Sequence, residues 1–182
     1  GSHLRVGRRG RLAWESATVD RLTDDRRPAK AAGAAAMGRA CFCNQNHGNP
    51  DMPQIKGEFE VKRVVQPAVD LGDGAQAAHM RFDKVFHGPL DASGVVHMFA
   101  LGTGTEGSAA YVAVERIVGT LDGHAGAFCM QHSGTMDRGV PSLTVSVVPD
   151  SGTDALSGLR GTLAIDIVDG RHFYTFDYSL PT

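Results

Sequence analysis

Residues 108–134 hold two β-prone runs joined by Asp122-Gly123. Asp-Gly tolerates the positive φ angles of a type I′ turn, so this pair predicts a tight antiparallel hairpin. Closing the hairpin there fixes which residues face each other. Leu121 faces His124, Ile117 faces Phe128, Glu115 faces Met130 and Ala113 faces His132. Strand side chains alternate, so one face carries Tyr111, Glu115, Ile117, Phe128, Met130 and His132. The other carries Val112, Val114, Arg116, Val118, Ala127, Cys129 and Gln131. A one-residue bulge would exchange the faces of one strand. Arg116 is more comfortable in water, which turns the first face inward. The valines then point outward and form a candidate dimer surface.

The same patterning runs from residue 55 onward. Strand-like stretches cover 56–66, 76–87, 94–101, the two hairpin arms, 142–148, 162–168 and 172–180. Between them lie Pro67 and Gly72-Asp73-Gly74, Gly88-Pro89, the glycine-rich 102–107, Pro149-Asp150-Ser151-Gly152 and a second Asp-Gly at 169–170. Residues 153–159 read as a short turn or helical piece. About eight strands with short connections predict an all-β fold. The expected architecture is a single antiparallel eight-stranded β-barrel over 52–182, since closure removes both sticky edges. Such a barrel has room for packed side chains or one small ligand. A two-sheet sandwich is the alternative.

Residues 1–51 are different. Gly1-Ser2-His3 resembles the scar of a cleaved tag. Arg, Ala and Gly dominate residues 4–51, and a helix over 12–27, stopped by Pro28, would place Leu12, Val19 and Leu22 partly on one side. The segment is either an N-terminal extension with little fold of its own or an arm or lid on the barrel. It carries nine Lys/Arg against five Asp/Glu, while the remainder carries nine against fifteen. The net charge of −2 gives no footprint for nucleic acid or an anionic membrane. Three cysteines, one of them inside a predicted strand, fit a reducing compartment. No run is apolar and long enough to span a membrane. Lys30 and Gly33 interrupt the Ala-rich stretch at 29–37, and Arg39 argues against lipid attachment at Cys41. A cytoplasmic protein is expected.

Five ordered motifs carry a family resemblance. They are Lys84-Val85-Phe86-His87-Gly88-Pro89-Leu90; the 111–121 run with Glu115 and Gly119; Phe128 with Gln131-His132-Ser133-Gly134; Val148-Pro149-Asp150-Ser151-Gly152-Thr153; and Leu156-Ser157-Gly158-Leu159-Arg160-Gly161. Together they resemble the small bacterial family called domain of unknown function 3224, over residues 55–180. The resemblance implies a barrel similar to that of allene oxide cyclase, often dimeric, and no established reaction. Family members often carry Trp in the strand before the Pro-x-Ser-Gly-Thr turn. Val145 stands there in this chain, so packing nearby is expected to differ.

Glu115, His132, Tyr111 and Lys84 are the candidate catalytic residues. A carboxylate beside an imidazole can act as orienter and base, with the Tyr hydroxyl as donor. A structural polar pair that satisfies itself inside a barrel is the plainer alternative. Lys84 lies in the row Met80, Phe82, Lys84, Phe86. Inside, it needs a carboxylate, and Glu115 is the obvious one; equally, its stem can lie on apolar surface with the amine in water. Arg63 poses the same question, with the solvated answer favoured. The candidate ligand-binding wall is Phe82, Phe86, Met98, Phe128, Met130, Tyr174, Phe176 and Tyr178.

No cofactor or metal is expected. The histidines show no metal-ligand spacing, and Cys41-x-Cys43 with His47 lacks a second ligand pair. His87 and His97 read as solvated. The 102–107 loop lacks the Gly-Lys-Ser/Thr ending of a phosphate loop, and neither Ser133 nor Ser151 has the strand-turn-helix context of a nucleophile elbow. Three functions stay open. One is binding of a small hydrophobic or amphipathic molecule inside the barrel of a homodimer. Another is a cofactor-independent isomerase or cyclase. The third is a structural or interaction module with a filled core.

Overall fold

The computed structural model describes residues 52–73 and 75–181. The extension at 1–51, with the helix expected at 12–27 and the Cys41, Cys43 and His47 group, lies outside the described residues. Nine strands follow in order: β1 Gln54–Val65, β2 Val69–Gly72, β3 Ala75–His87, β4 Leu90–Gly102, β5 Ala109–Leu121, β6 His124–Asp137, β7 Val140–Val147, β8 Arg160–Val168 and β9 Arg171–Ser179. A 3-10 turn at Asp154–Leu156 precedes β8.

All pairings are antiparallel, in the order β1-β9-β8-β7-β6-β5-β4-β3-β2, and β1 also pairs with β3. That last pairing closes an eight-stranded barrel and removes the sandwich alternative. The short β2 has no counterpart among the expected strands. It pairs with Ala75–Ala77, just beyond the part of β3 that β1 covers. Strand β4 also begins earlier than expected, at Leu90.

The β5–β6 register is the one the Asp-Gly turn predicts: Leu121 opposite His124, Ile117 opposite Phe128, Glu115 opposite Met130, Ala113 opposite His132. Asp122 and Gly123 take φ of 47° and 80°, and Asp169 and Gly170 take 51° and 78°, both fitting type I′ turns. Glu115, Ile117, Phe128, Met130 and His132 are buried inside, while Val112, Val114 and Val118 are exposed outside. Ala127 is a correction: it lies on the outward row yet is buried. The chain after β7 folds back over it, with Thr153 N–H donating to the Ala127 carbonyl and Ala127 N–H to Thr153 Oγ1.

The interior divides into two levels. One holds Phe86, Leu90, Ile117, Leu121, Phe128, Met130, Tyr174, Phe176 and Tyr178, plugged by Leu156 and Leu159. The other holds the smaller set Met80, Phe82, Val96, Met98, Ala100 and Ala113, with Tyr111 against it. One wall is thinly laced: the ladder between β7 and β8 is a single pair, Ser146 with Thr162. Among the described residues, no helix is long and apolar enough to cross a membrane.

Candidate functional site

The less crowded level leaves a cavity of about 190 Å³. Phe82, Val96 and Met98 line one side, Leu143 and Ile165 border it beside the β7–β8 seam, and Tyr111 lies against it. Lys84, His132 and His172, with Thr135 and Ser142, supply polar groups to a largely apolar surface.

Lys84 and Glu115 come from strands separated by β4. Lys84 pairs with Gly94, and Gly94 pairs with Ile117. Because Gly94 has no side chain, the two ionic groups meet across it; a Cβ there would fall 2.5 Å from Glu115 Oε1. Lys84 Nζ donates to Glu115 Oε2 at 2.9 Å, and His132 Nε2 donates to the same oxygen at 3.0 Å. Lys84 is 8% exposed and Glu115 1%, so Lys84 takes the paired state rather than the solvated one. Its ammonium also stands 4.9 Å from the Phe59 ring centroid and 5.6 Å from that of Phe86, within cation–π range.

Burial alone would push the Glu115 carboxyl up. The Lys84 charge and the hydrogen bonds from His132 and Lys84 outweigh it and hold the carboxyl below its ordinary value. Burial lowers His132, and the Lys84 charge adds to this against the opposing pull of Glu115. The cluster is therefore an ammonium, a carboxylate and a neutral imidazole. Burial pushes the Tyr111 phenol up to about 12. Its ring fills the space above Gly134, and its hydroxyl makes no hydrogen bond among the described residues. Of the four candidate catalytic residues, three thus form one hydrogen-bonded group and Tyr111 stands apart on the cavity wall.

The expected ligand wall splits between the levels. Phe82 and Met98 border the cavity. Phe86, Phe128, Met130, Tyr174, Phe176 and Tyr178 belong to the packed level instead. Alternation assigns a face, not a height along the barrel axis, and these six share the right face at the wrong height. The tyrosine hydroxyls there are engaged: Tyr174 donates to the His87 carbonyl and accepts from Leu90 N–H, and Tyr178 donates to the Asp122 carboxylate.

Two residues of the site are absent from the sequence-based candidates. His172 begins the inward row that continues through Tyr174, Phe176 and Tyr178, so parity alone is enough to find it. It is 7% exposed, its Nε2 is buried without a partner, and burial and then Lys84 lower its pKa. Gly94 stands at the expected start of a strand, where a glycine gives no signal; only its observed position inside β4 singles it out, since glycine within a strand often marks a close approach.

The family model described as Protein of unknown function (DUF3224) matches residues 55–178. The chain belongs to this family. A crystal structure of a DUF3224 protein of unknown function from Shewanella oneidensis MR-1 is similar, with 40% identity and a TM-score of 0.68, covering 72% of this chain and 100% of that one. No curated protein matches. The DUF3224 motifs of this chain have separate structural roles. Ser151 Oγ accepts from Cys129 N–H and donates to the Val148 carbonyl, and Arg160 donates to Asp150. With Leu156 and Leu159 these residues build the plugged end. Lys84, Glu115 and His132, from the other three motifs, form the hydrogen-bonded group beside the cavity.

Proposed function

We propose that this DUF3224 barrel binds one small, largely apolar molecule in its interior. The observation that carries the reading is the cavity itself, apolar around its sides and edged by a hydrogen-bonded Lys84–Glu115–His132 group. Pockets of this kind use a few polar groups to fix orientation. Engineered cavities of roughly 150 Å³ take up benzene or xenon, so the space suits one substituted ring or a short chain. A filled-core module accounts for the Phe128 level but not for the hollow one. The isomerase or cyclase reading draws on one specific feature, the imidazole of His132 oriented by a carboxylate. Against it, Lys84 already neutralises Glu115, and Tyr111 does not join the group.

The exposed valines of β5 support pairing of two copies through the outer face, and the free thiol of Cys129 is in keeping with a cytoplasmic setting. Native mass spectrometry of freshly purified protein tests ligand and assembly together. We expect the mass of two chains with a small non-covalent adduct. Ala113→Leu, which places extra volume in the cavity, is expected to keep the two-chain mass and lose the adduct. An adduct that persists unchanged in Ala113→Leu would place the molecule elsewhere and contradict the reading.

A further inference from the structure

The hydrogen-bonding capacity around the cavity constrains the polar end of its occupant. Glu115 is a carboxylate and can only accept. It accepts from His132 Nε2, so His132 carries its proton on that nitrogen. A neutral imidazole in that tautomer presents a lone pair on Nδ1. His132 borders the cavity, and its Nδ1 has no partner among the described residues. Lys84 also borders the cavity and spends one of its three N–H donors on Glu115. The occupant thus meets an unused acceptor and unused donors together. His172 and Tyr111, likewise without a hydrogen bond among the described residues, add further polar groups to the lining, and Glu115 Oε1 is a buried acceptor without a partner among them.

Charge narrows the choice. Lys84 and Glu115 balance each other. A carboxylate ligand would turn its oxygens towards the Nδ1 lone pair and bring an unbalanced charge into an apolar space. An ammonium ligand would face Lys84. A hydroxyl satisfies both neighbours: its O–H donates to Nδ1 and its oxygen accepts from Nζ. Resting on the binding reading above, we infer that the occupant is a small neutral alcohol or phenol, its hydroxyl held by His132 Nδ1 and Lys84 Nζ and its apolar body against Phe82, Met98, Leu143 and Ile165.

Three matched probes test this on the full chain at pH 7.5: 4-propylphenol, propylbenzene and 4-propylbenzoate. The phenol is expected to bind at least about tenfold more tightly than either of the others, the effect of a hydrogen bond to a charged or well-oriented group. In His132→Phe its advantage over propylbenzene should shrink to what the Lys84 hydrogen bond alone supplies, and an undiminished advantage would overturn the role of Nδ1. Nitrogen-15 spectra of the wild-type imidazole give a readout that needs no variant. They should show a protonated Nε2 and a bare Nδ1 whose resonance moves on adding the phenol. Equal binding of phenol and propylbenzene would overturn the hydroxyl assignment while leaving the cavity as a binding site. Tighter binding of the benzoate, or a proton on Nδ1, would also overturn it. Binding of none of the three would remove both the assignment and the reading it rests on.

Discussion

Lys84→Met is expected to destabilise the barrel by about 3–5 kcal/mol at neutral pH, because it strands a carboxylate that is 1% exposed. In a chain of this size that lowers the melting temperature by roughly 10 °C. The same variant carrying Glu115→Gln removes the stranded charge and keeps an acceptor for His132 Nε2, so it should recover more than half of the loss. Acid separates the two causes. In the wild type the Glu115 carboxyl lies below its ordinary 4.5, so the group contributes stability above that pH and loses it as pH falls through the folded value. Without Lys84, burial dominates and raises the carboxyl. The folded variant then gains from protonation, so its deficit against the wild type should begin to narrow above about pH 4.5, as pH falls through the variant's raised value, and keep narrowing down to the wild type's lowered one. Urea unfolding of both variants at pH 7 and pH 4 checks this. A double variant as unstable as Lys84→Met would mean that the ammonium acts by packing on Phe59 and Phe86, not by its charge.

Phe176→Ala and Phe82→Ala are expected to differ sharply although both truncate an inward phenylalanine. Phe176 is fully buried, stacked on Phe128 with ring centroids 6.1 Å apart and packed against Tyr178. Removing it opens a new void in a filled level and should cost about 3–5 kcal/mol. Phe82 already borders open space, has fewer packed contacts to lose, and should cost about 2 kcal/mol or less. Denaturant midpoints of the two variants measure the difference. Equal losses would mean that the two levels are packed alike.

What the chain discloses about itself is limited to what period and turn chemistry can encode. Asp122-Gly123 sets the hairpin register because the turn type leaves one way to pair the arms, and every inward residue of β5 and β6 is placed by it. The Lys84–Glu115 meeting is an open choice in the sequence for a similar reason: Lys84 has the inward parity, but only the pairing of β3 with β4 and β4 with β5 brings it level with Glu115. Height along the axis depends on strand tilt and stagger, which are properties of the closed barrel. Hence alternation assigns Phe128 and Phe176 to the interior but not to the filled level. Ala127 escapes a sequence reading because its cover comes from residue 153, far along the chain. Gly94 escapes it because its contribution is the absence of a side chain beside Glu115, which becomes visible only once the neighbouring strands are in place.

The hollow level beside the Lys84–Glu115–His132 group is most directly tested by a crystal structure under xenon pressure, since apolar cavities of this size admit the gas. The account predicts a xenon site between Phe82, Met98 and Tyr111, and none between Phe128 and Phe176. Xenon absent from the barrel interior, or present only at the Phe128–Phe176 end, would contradict it.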